Sequence, residues 1–191
     1  MKILIALGVF FLAAVVWPIV RLRLSIGQWG LVSRRGADSC QRLVGVLMGG
    51  WFAAVAGWAL AAALLPPESL GLLAPWPRLG WMLMASGLAL VVAAQAQMGA
   101  SWRIGIDDRP TALITRGPFA LSRNPIFAGM LLSLAGLVAL TPSAASLLGW
   151  VAIAQLILVQ VRLEEQHLRR QHGDEFARYA ARVGRFVPFL T

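Results

Sequence analysis

Five apolar stretches, at roughly 3–20, 43–65, 79–99, 126–140 and 143–161, decide what this chain can fold into. A helix needs about 20 apolar residues to span a bilayer, and the first three stretches approach or reach that length. The last two are shorter and are separated only by Thr141-Pro142-Ser143, a turn that folds them into a helical hairpin. Composition points the same way: 59% of the 191 residues are hydrophobic and only 13% are charged, where a soluble domain is about a quarter charged. So little charge cannot coat a water-facing surface, and disordered chains are poor in apolar residues. A soluble globular enzyme and a disordered chain are both excluded. The expected fold is an all-α integral membrane protein of about five transmembrane helices, with a C-terminal helical hairpin and cytoplasmic helices after it. Lys2 before the first apolar run resembles the start of a signal peptide. That run lacks a small-x-small cleavage site, however, and ends in Trp17-Pro18 followed by Arg21 and Arg23, so a retained span is expected.

The formal charge of +9 invites a nucleic-acid reading, and its distribution removes the need for one. Fifteen of the 17 lysines and arginines fall in the segments 21–42, 100–125 and 162–191, leaving Lys2 and Arg78 elsewhere. With five spans those three segments share one face, and the excess of positive charge makes it cytoplasmic. The N-terminus is then expected outside and the C-terminus in the cytoplasm, in the plasma (inner) membrane of a bacterial host, with no nucleic-acid partner. Cys40 is the single cysteine, which excludes an intramolecular disulfide and a cysteine zinc cluster. His167 and His172 lack a companion ligand set, so no metal site is expected. Neither GxGxxG nor GxxxxGK[ST] occurs, and no nucleophile elbow supports a Ser-His-Asp triad.

Two features stand out within the spans. Gly45, Gly49, Ala53, Gly57 and Ala61 repeat at every fourth position of the second span. They form a small-residue face expected first to pack within the chain, with a homodimer seam as the alternative. Gln95, Gln97, Gln155 and Gln160 are expected to face the bundle interior, bonding between helices or lining a cavity.

The two longest polar segments flank the hairpin, so both return to one membrane face, and a site is most economically built between them. The first ends Thr115-Arg116-Gly117-Pro118-Phe119-Ala120-Leu121-Ser122-Arg123-Asn124-Pro125. Gly117-Pro118 reads as a turn, and Asn124-Pro125 as an N-cap with proline at the first helical position. The unpaired N–H groups of that helix start, beside Arg123, suit a carboxylate or phosphate; an ordinary capped helix is the plainer alternative. The second segment carries Glu164 and Glu165 where the last span leaves the bilayer, then Gly173 as a helix stop and Asp174 as the cap of a short helix. Adjacent helical residues point about 100° apart, so one carboxylate can face inward. A surface pair between Glu165 and Arg169, four residues on, is the structural alternative.

These segments resemble the isoprenylcysteine carboxyl methyltransferase and phospholipid methyltransferase superfamily over roughly 98–188. The likeness runs through Leu113-Ile114-Thr115-Arg116-Gly117-Pro118-Phe119, Arg123-Asn124-Pro125-Ile126-Phe127-Ala128-Gly129 and Glu164-Glu165, and on to Leu168, Gly173, Tyr179, Val183, Arg185 and Pro188. Met98 to Gly105 looks like the lead-in of bacterial members. Members usually carry Arg-His-Pro with a tyrosine two residues after the proline, where this chain has Asn124 and Phe127. An aromatic also usually precedes the later glycine and a tyrosine follows it, where this chain has His172 and Phe176.

The resemblance implies N-terminal transmembrane helices over 1–97 and a methyltransferase-like core over 98–191, with S-adenosylmethionine in a cytoplasmic pocket closed by the C-terminal segment. Carried over, Thr111, Ala112, Leu113, Ile114, Phe119, Asn124, Pro125, Ile126 and Phe127 would line the cofactor, and Glu164 would bind it. Arg162 or Arg185 would hold an anionic acceptor, with Glu165 positioning one of them. The acceptor implied is lipophilic: an isoprenylcysteine-like carboxylate, a lipid or a small molecule. Two competing readings are an NADPH-dependent sterol- or enone-type membrane reductase, with Arg103 and Arg109 for the 2′-phosphate, and a non-catalytic membrane scaffold.

Overall fold

The computed structural model describes residues 1–27, 39–102 and 112–186, and among them it is built of helices and turns without strands. The helices are α1 (Lys2–Ile26), α2 (Ser39–Leu64), α3 (Pro77–Met98), α4 (Pro125–Leu140) and α5 (Ala144–Ala180). All but α4 are long and apolar enough to cross a membrane. The chain is an integral membrane protein of the expected all-α class. The 16 residues of α4 extend only about 24 Å, short of the roughly 30 Å hydrocarbon core.

In α1, Pro18 has no N–H to donate to the carbonyl four residues back, which is Ala14. The helix widens into a π turn over Leu12–Val16, and the buried Gln95 side chain of α3 donates to the freed Ala14 oxygen at 2.7 Å. Of the two roles expected for Gln95, the interhelical bond is made, and the residue also lines a cleft between α1 and α3.

The tightest contact in the bundle joins α3 and α4, and glycine makes it possible. A Cβ placed on Gly129 would lie 2.6 Å from the Gly87 carbonyl oxygen, and one on Gly136 would lie 2.6 Å from that of Gly80. Backbones meet directly there, which only small residues permit. The stripe on α2 does not play this part: Gly49, Ala53 and Gly57 are exposed, with open space where a Cβ on either glycine would project. Packing within the chain, expected of that stripe, instead falls to α3 and α4. Helix α2 docks through a different face, where Trp51 donates its indole N–H to Gly149 O (3.0 Å) and Trp58 donates to Thr141 Oγ1 (3.1 Å). Met48 and Trp51 also pack on the buried ridge Ile153, Ile157 and Val161 of α5.

The hairpin turn is closed from both sides. The Thr141 N–H reaches back to Leu137 O, and Ser143 caps α5 in a reciprocal pair of bonds with Ser146. Helix α5 continues for 37 residues, about 55 Å, well past any bilayer core. At Gly173 (φ +51°, ψ −123°) its path breaks; side chains rarely adopt that backbone, so glycine serves there. The expected stop is thus a kink, and helical turns resume at once through Ala180.

Candidate functional site

The two polar segments that flank the hairpin do meet. Leu113 packs on a buried cluster of Phe176, Tyr179 and Ala180, and the Tyr179 hydroxyl donates to Phe119 O at 2.6 Å. The single turn of helix at Gly117–Ala120 starts from Gly117 at φ +61°, and a Cβ there would lie 3.0 Å from Gln97 Oε1. The turn is therefore seated against the end of α3 on one side and against the last turns of α5 on the other.

Glu165 is the centre of this junction. Arg185 grips its carboxylate with two groups: Nη2 donates to Oε2 at 2.8 Å, and Nε is 3.2 Å from both oxygens. Asn124 Nδ2 donates to Glu165 Oε1 and to Arg185 O, each at 3.2 Å. Arg123 approaches from a third direction, its Nε 3.1 Å from Glu165 Oε1. That N–H is not aimed at the oxygen, so the contact is an ion pair and not a hydrogen bond. The opposite end of Arg123 is directed: Nη1 donates to Ala180 O at 2.8 Å and the backbone N–H to Gly184 O at 2.9 Å. Ser122 Oγ donates to Arg185 O at 3.1 Å. Bidentate guanidinium–carboxylate geometry is strong and orientation-specific. The Glu165 hydrogen bonds hold the Arg185 guanidinium above the ordinary arginine range, against a smaller opposing effect of burial, so it stays cationic at any pH an assay uses.

Glu164, one position earlier, points elsewhere on the helix and accepts from Gln160 Nε2 at 2.7 Å. One carboxylate is thus consumed by arginines and the other is held by an amide, leaving an oxygen to accept from a ligand. The side chain of Asn124, at the N-cap position of α4, makes no capping bond. Its amide is turned to Glu165, and the first N–H groups of α4 are left to another acceptor.

The remaining candidates divide plainly. Asn124, Pro125 and Phe119 are buried, while Leu113, Ile114 and Ile126 are partly buried and Ala112 is exposed. Phe127 packs with Phe186 on the Ile153–Ile157–Val161 ridge between α4 and α5. Arg162 is exposed and is not among the groups bonded to Glu165. Glu165 takes Arg123 and Arg185 in place of Arg169, which lies over the Phe176 ring at 6.0 Å. Thr111, Arg103, Arg109 and Pro188 lie outside the described residues. Two contributors play parts other than those expected from the sequence: Gln160, expected to bond between helices or line a cavity, bonds Glu164 on its own helix, and Arg123 pairs with Glu165. Arg123 stood there only as the neighbour of a helix start, and nothing local in sequence ties it to Glu165. Gln160 and Glu164 are four apart on one helix, a spacing that could have revealed their bond.

The sequence model of the phospholipid methyltransferase family matches residues 76–175, beginning in α3 and ending just past the Gly173 kink. A curated relative, the cobalt-zinc-cadmium resistance protein CzcN of Cupriavidus metallidurans, is 33% identical over 107 residues, which are 54% of this chain and 49% of that protein. Among solved structures, the eukaryotic intramembrane Ras methyltransferase ICMT (isoprenylcysteine carboxyl methyltransferase) superposes with a TM-score of 0.60 at 16% identity. The match covers 96% of this chain and 66% of that one. At that identity the likeness is one of fold. The chain spans about half the length of the curated relative and under two thirds of the solved structure.

Proposed function

The chain belongs to the phospholipid methyltransferase family, and from that premise we propose that it transfers a methyl group from S-adenosylmethionine to a lipophilic acceptor. The observation that carries the reading is the buried junction at Glu165, where the segment before the hairpin and the helix after it are bonded into one site.

The donor set fits such a cofactor. Glu164 keeps an oxygen able to accept from an ammonium or a ribose hydroxyl. The uncapped start of α4 offers N–H groups to a carboxylate, and Leu113 and Phe119 supply apolar surface for an adenine. When bound, the sulfonium supplies an electrophilic methyl group. The chain's own residues then align, exclude water and place charge, because an anionic nucleophile needs no general base. Arg185, paired with Glu165 but with about a third of its side chain exposed, is the group that holds an anionic acceptor. Glu165 fixes the direction of that guanidinium, and Asn124 fixes Glu165. Arg162, exposed and outside the junction, is the weaker candidate for this role. An isoprenylcysteine-like carboxylate, a lipid or a small molecule meets the description of the acceptor. The inner membrane of a bacterium, with the C-terminus in the cytoplasm, is the setting that the charge distribution favours.

Calorimetry on the full chain in detergent tests the reading. S-adenosylhomocysteine should bind, and Glu164→Ala should weaken it about tenfold, the worth of one hydrogen bond to a charged group. Binding of NADPH without S-adenosylhomocysteine would transfer the site to reductase chemistry.

A further inference from the structure

A cleft lies about 200° around α3 from Gln97, on the side that carries Gln95. Its volume is about 170 Å³, and it opens between the last turns of α1 and the end of α3. The bond from Gln95 to Ala14 holds the two helices together on one side of it, and the buried Trp102 walls it beyond the end of α3. Leu22 gives it an apolar wall, while Arg21 and Ser25 give it a polar one. Gly99, at φ +54°, lines the cleft beside the charge. A Cβ there would be 3.9 Å from Arg21 Nη2, and the backbone angle is one that side chains rarely adopt. Among the described residues, Arg21 has neither a carboxylate partner nor a hydrogen-bond acceptor.

The ligand is read from these properties. A dry cavity of about 150 Å³ takes a benzene-sized ligand, so a phosphodiester with its adjoining glycerol carbon fits. Guanidinium is the side chain best matched to phosphate oxygens. Arginine and tryptophan at the ends of spans sit at headgroup level. The outer surface of α1 beside the cleft is apolar and open, with Val20, Leu24 and Ile26 exposed, as acyl chains leaving the cleft require.

We propose that this cleft is a binding site for a membrane phospholipid, with Arg21 pairing the headgroup phosphate. Ser25 exchanges its long 3.3 Å bond to Leu22 O for one to the same phosphate. The site is separate from the Glu165 junction and does not depend on the methyl-transfer reading.

The test uses the full chain purified in detergent, loaded with phosphatidylglycerol, washed and examined by native mass spectrometry. The wild type should retain one phosphatidylglycerol per chain. Arg21→Gln should reduce retention about tenfold, the loss of one hydrogen bond to a charged group. Ser25→Trp, which fills the cleft and leaves the charge in place, should do the same, and it decides the matter if Arg21→Gln fails to fold. Arg42→Gln, an exposed arginine at the start of α2, should retain the lipid fully. Equal retention in all variants would make the lipid a non-specific annular one and overturn the site. Equal loss with Arg42→Gln would reduce it to diffuse charge attraction. Displacement of the lipid by millimolar inorganic phosphate would assign the cleft to free phosphate instead.

Discussion

Removing Glu165 should cost the fold more than removing Arg185, although the two form one pair. Glu165 has 13% of its side chain exposed and faces two guanidiniums: Arg123, 8% exposed, and Arg185, 34% exposed. Glu165→Gln leaves both cations directed at a neutral amide, one of them buried with no other counter-charge at its Nε. Breaking a buried pair from one side costs about 3–5 kcal/mol, and the amide oxygen can still accept one bond, so about 3 kcal/mol is expected. Arg185→Gln leaves Glu165 paired with Arg123 and bonded to Asn124. Its lost guanidinium was a third exposed and water-screened, so about 1 kcal/mol is expected. The double variant should cost less than the two singles added, because the two sites share partners. Unfolding in mixed micelles, followed through the eight tryptophans, measures all three. S-adenosylhomocysteine binding measured alongside separates stability from the site. An Arg185→Gln variant as unstable as Glu165→Gln would refute the view that Arg123 is the buried, dependent partner.

Three further outcomes follow from the packing. Gln95→Leu strands the Ala14 carbonyl at a cost of about 1 kcal/mol in a bilayer-spanning bundle. Adding Pro18→Ala restores an N–H for that carbonyl, so the double variant should recover part of the loss in the same unfolding assay. Gly87→Leu should prevent the α3–α4 contact and abolish folded protein on size exclusion, whereas Gly57→Leu on α2 should leave the monomer's stability within about 0.5 kcal/mol. Tyr179→Phe removes the 2.6 Å bond to Phe119 O and should cost about 1 kcal/mol; protease cleavage after Arg182 in the folded protein should accelerate as the end of α5 loosens.

The fold was legible because hydropathy runs and a Thr-Pro-Ser break are local signals, and lipid leaves helices few alternatives. The helix-packing face was not legible. Small residues recur at close helical spacing both in α2 and in α3 with α4, and spacing alone cannot say which stripe finds a partner. Gly87 and Gly129 find each other, while Gly49 and Gly57 face outward. The site was half legible. Turn chemistry placed Asn124 at a helix start, and paired carboxylates marked Glu164 and Glu165. What Glu165 binds depends on Arg123 and Arg185, which come from different segments, and sequence spacing reveals only partners on the same helix. The Asn124 side chain was illegible for the same reason: its Nδ2 donates to a charged acceptor on another helix, Glu165.

The short α4 explains why a buried polar junction exists at all. Gly129 packs on Gly87 and Val91, so, counting turns in antiparallel register, the helix start at Pro125 falls near Gln95, short of the end of α3 at Met98. Helix α5, on the other flank, runs on past Glu165. The space left beneath α4 must be filled by chain that is not spanning helix, and its backbone groups must find partners away from lipid. The turn at Gly117–Ala120 fills it against Gln97, and the stretch Ala180–Arg185 closes it through Arg123, Ser122 and Asn124. Charged residues are tolerated there because Arg123 and Arg185, which come with the filling, pair with Glu165 of α5. A hairpin whose first arm reached the full thickness of the bilayer would leave no such recess, and lengthening α4 by one turn should expel the Glu165 junction into water.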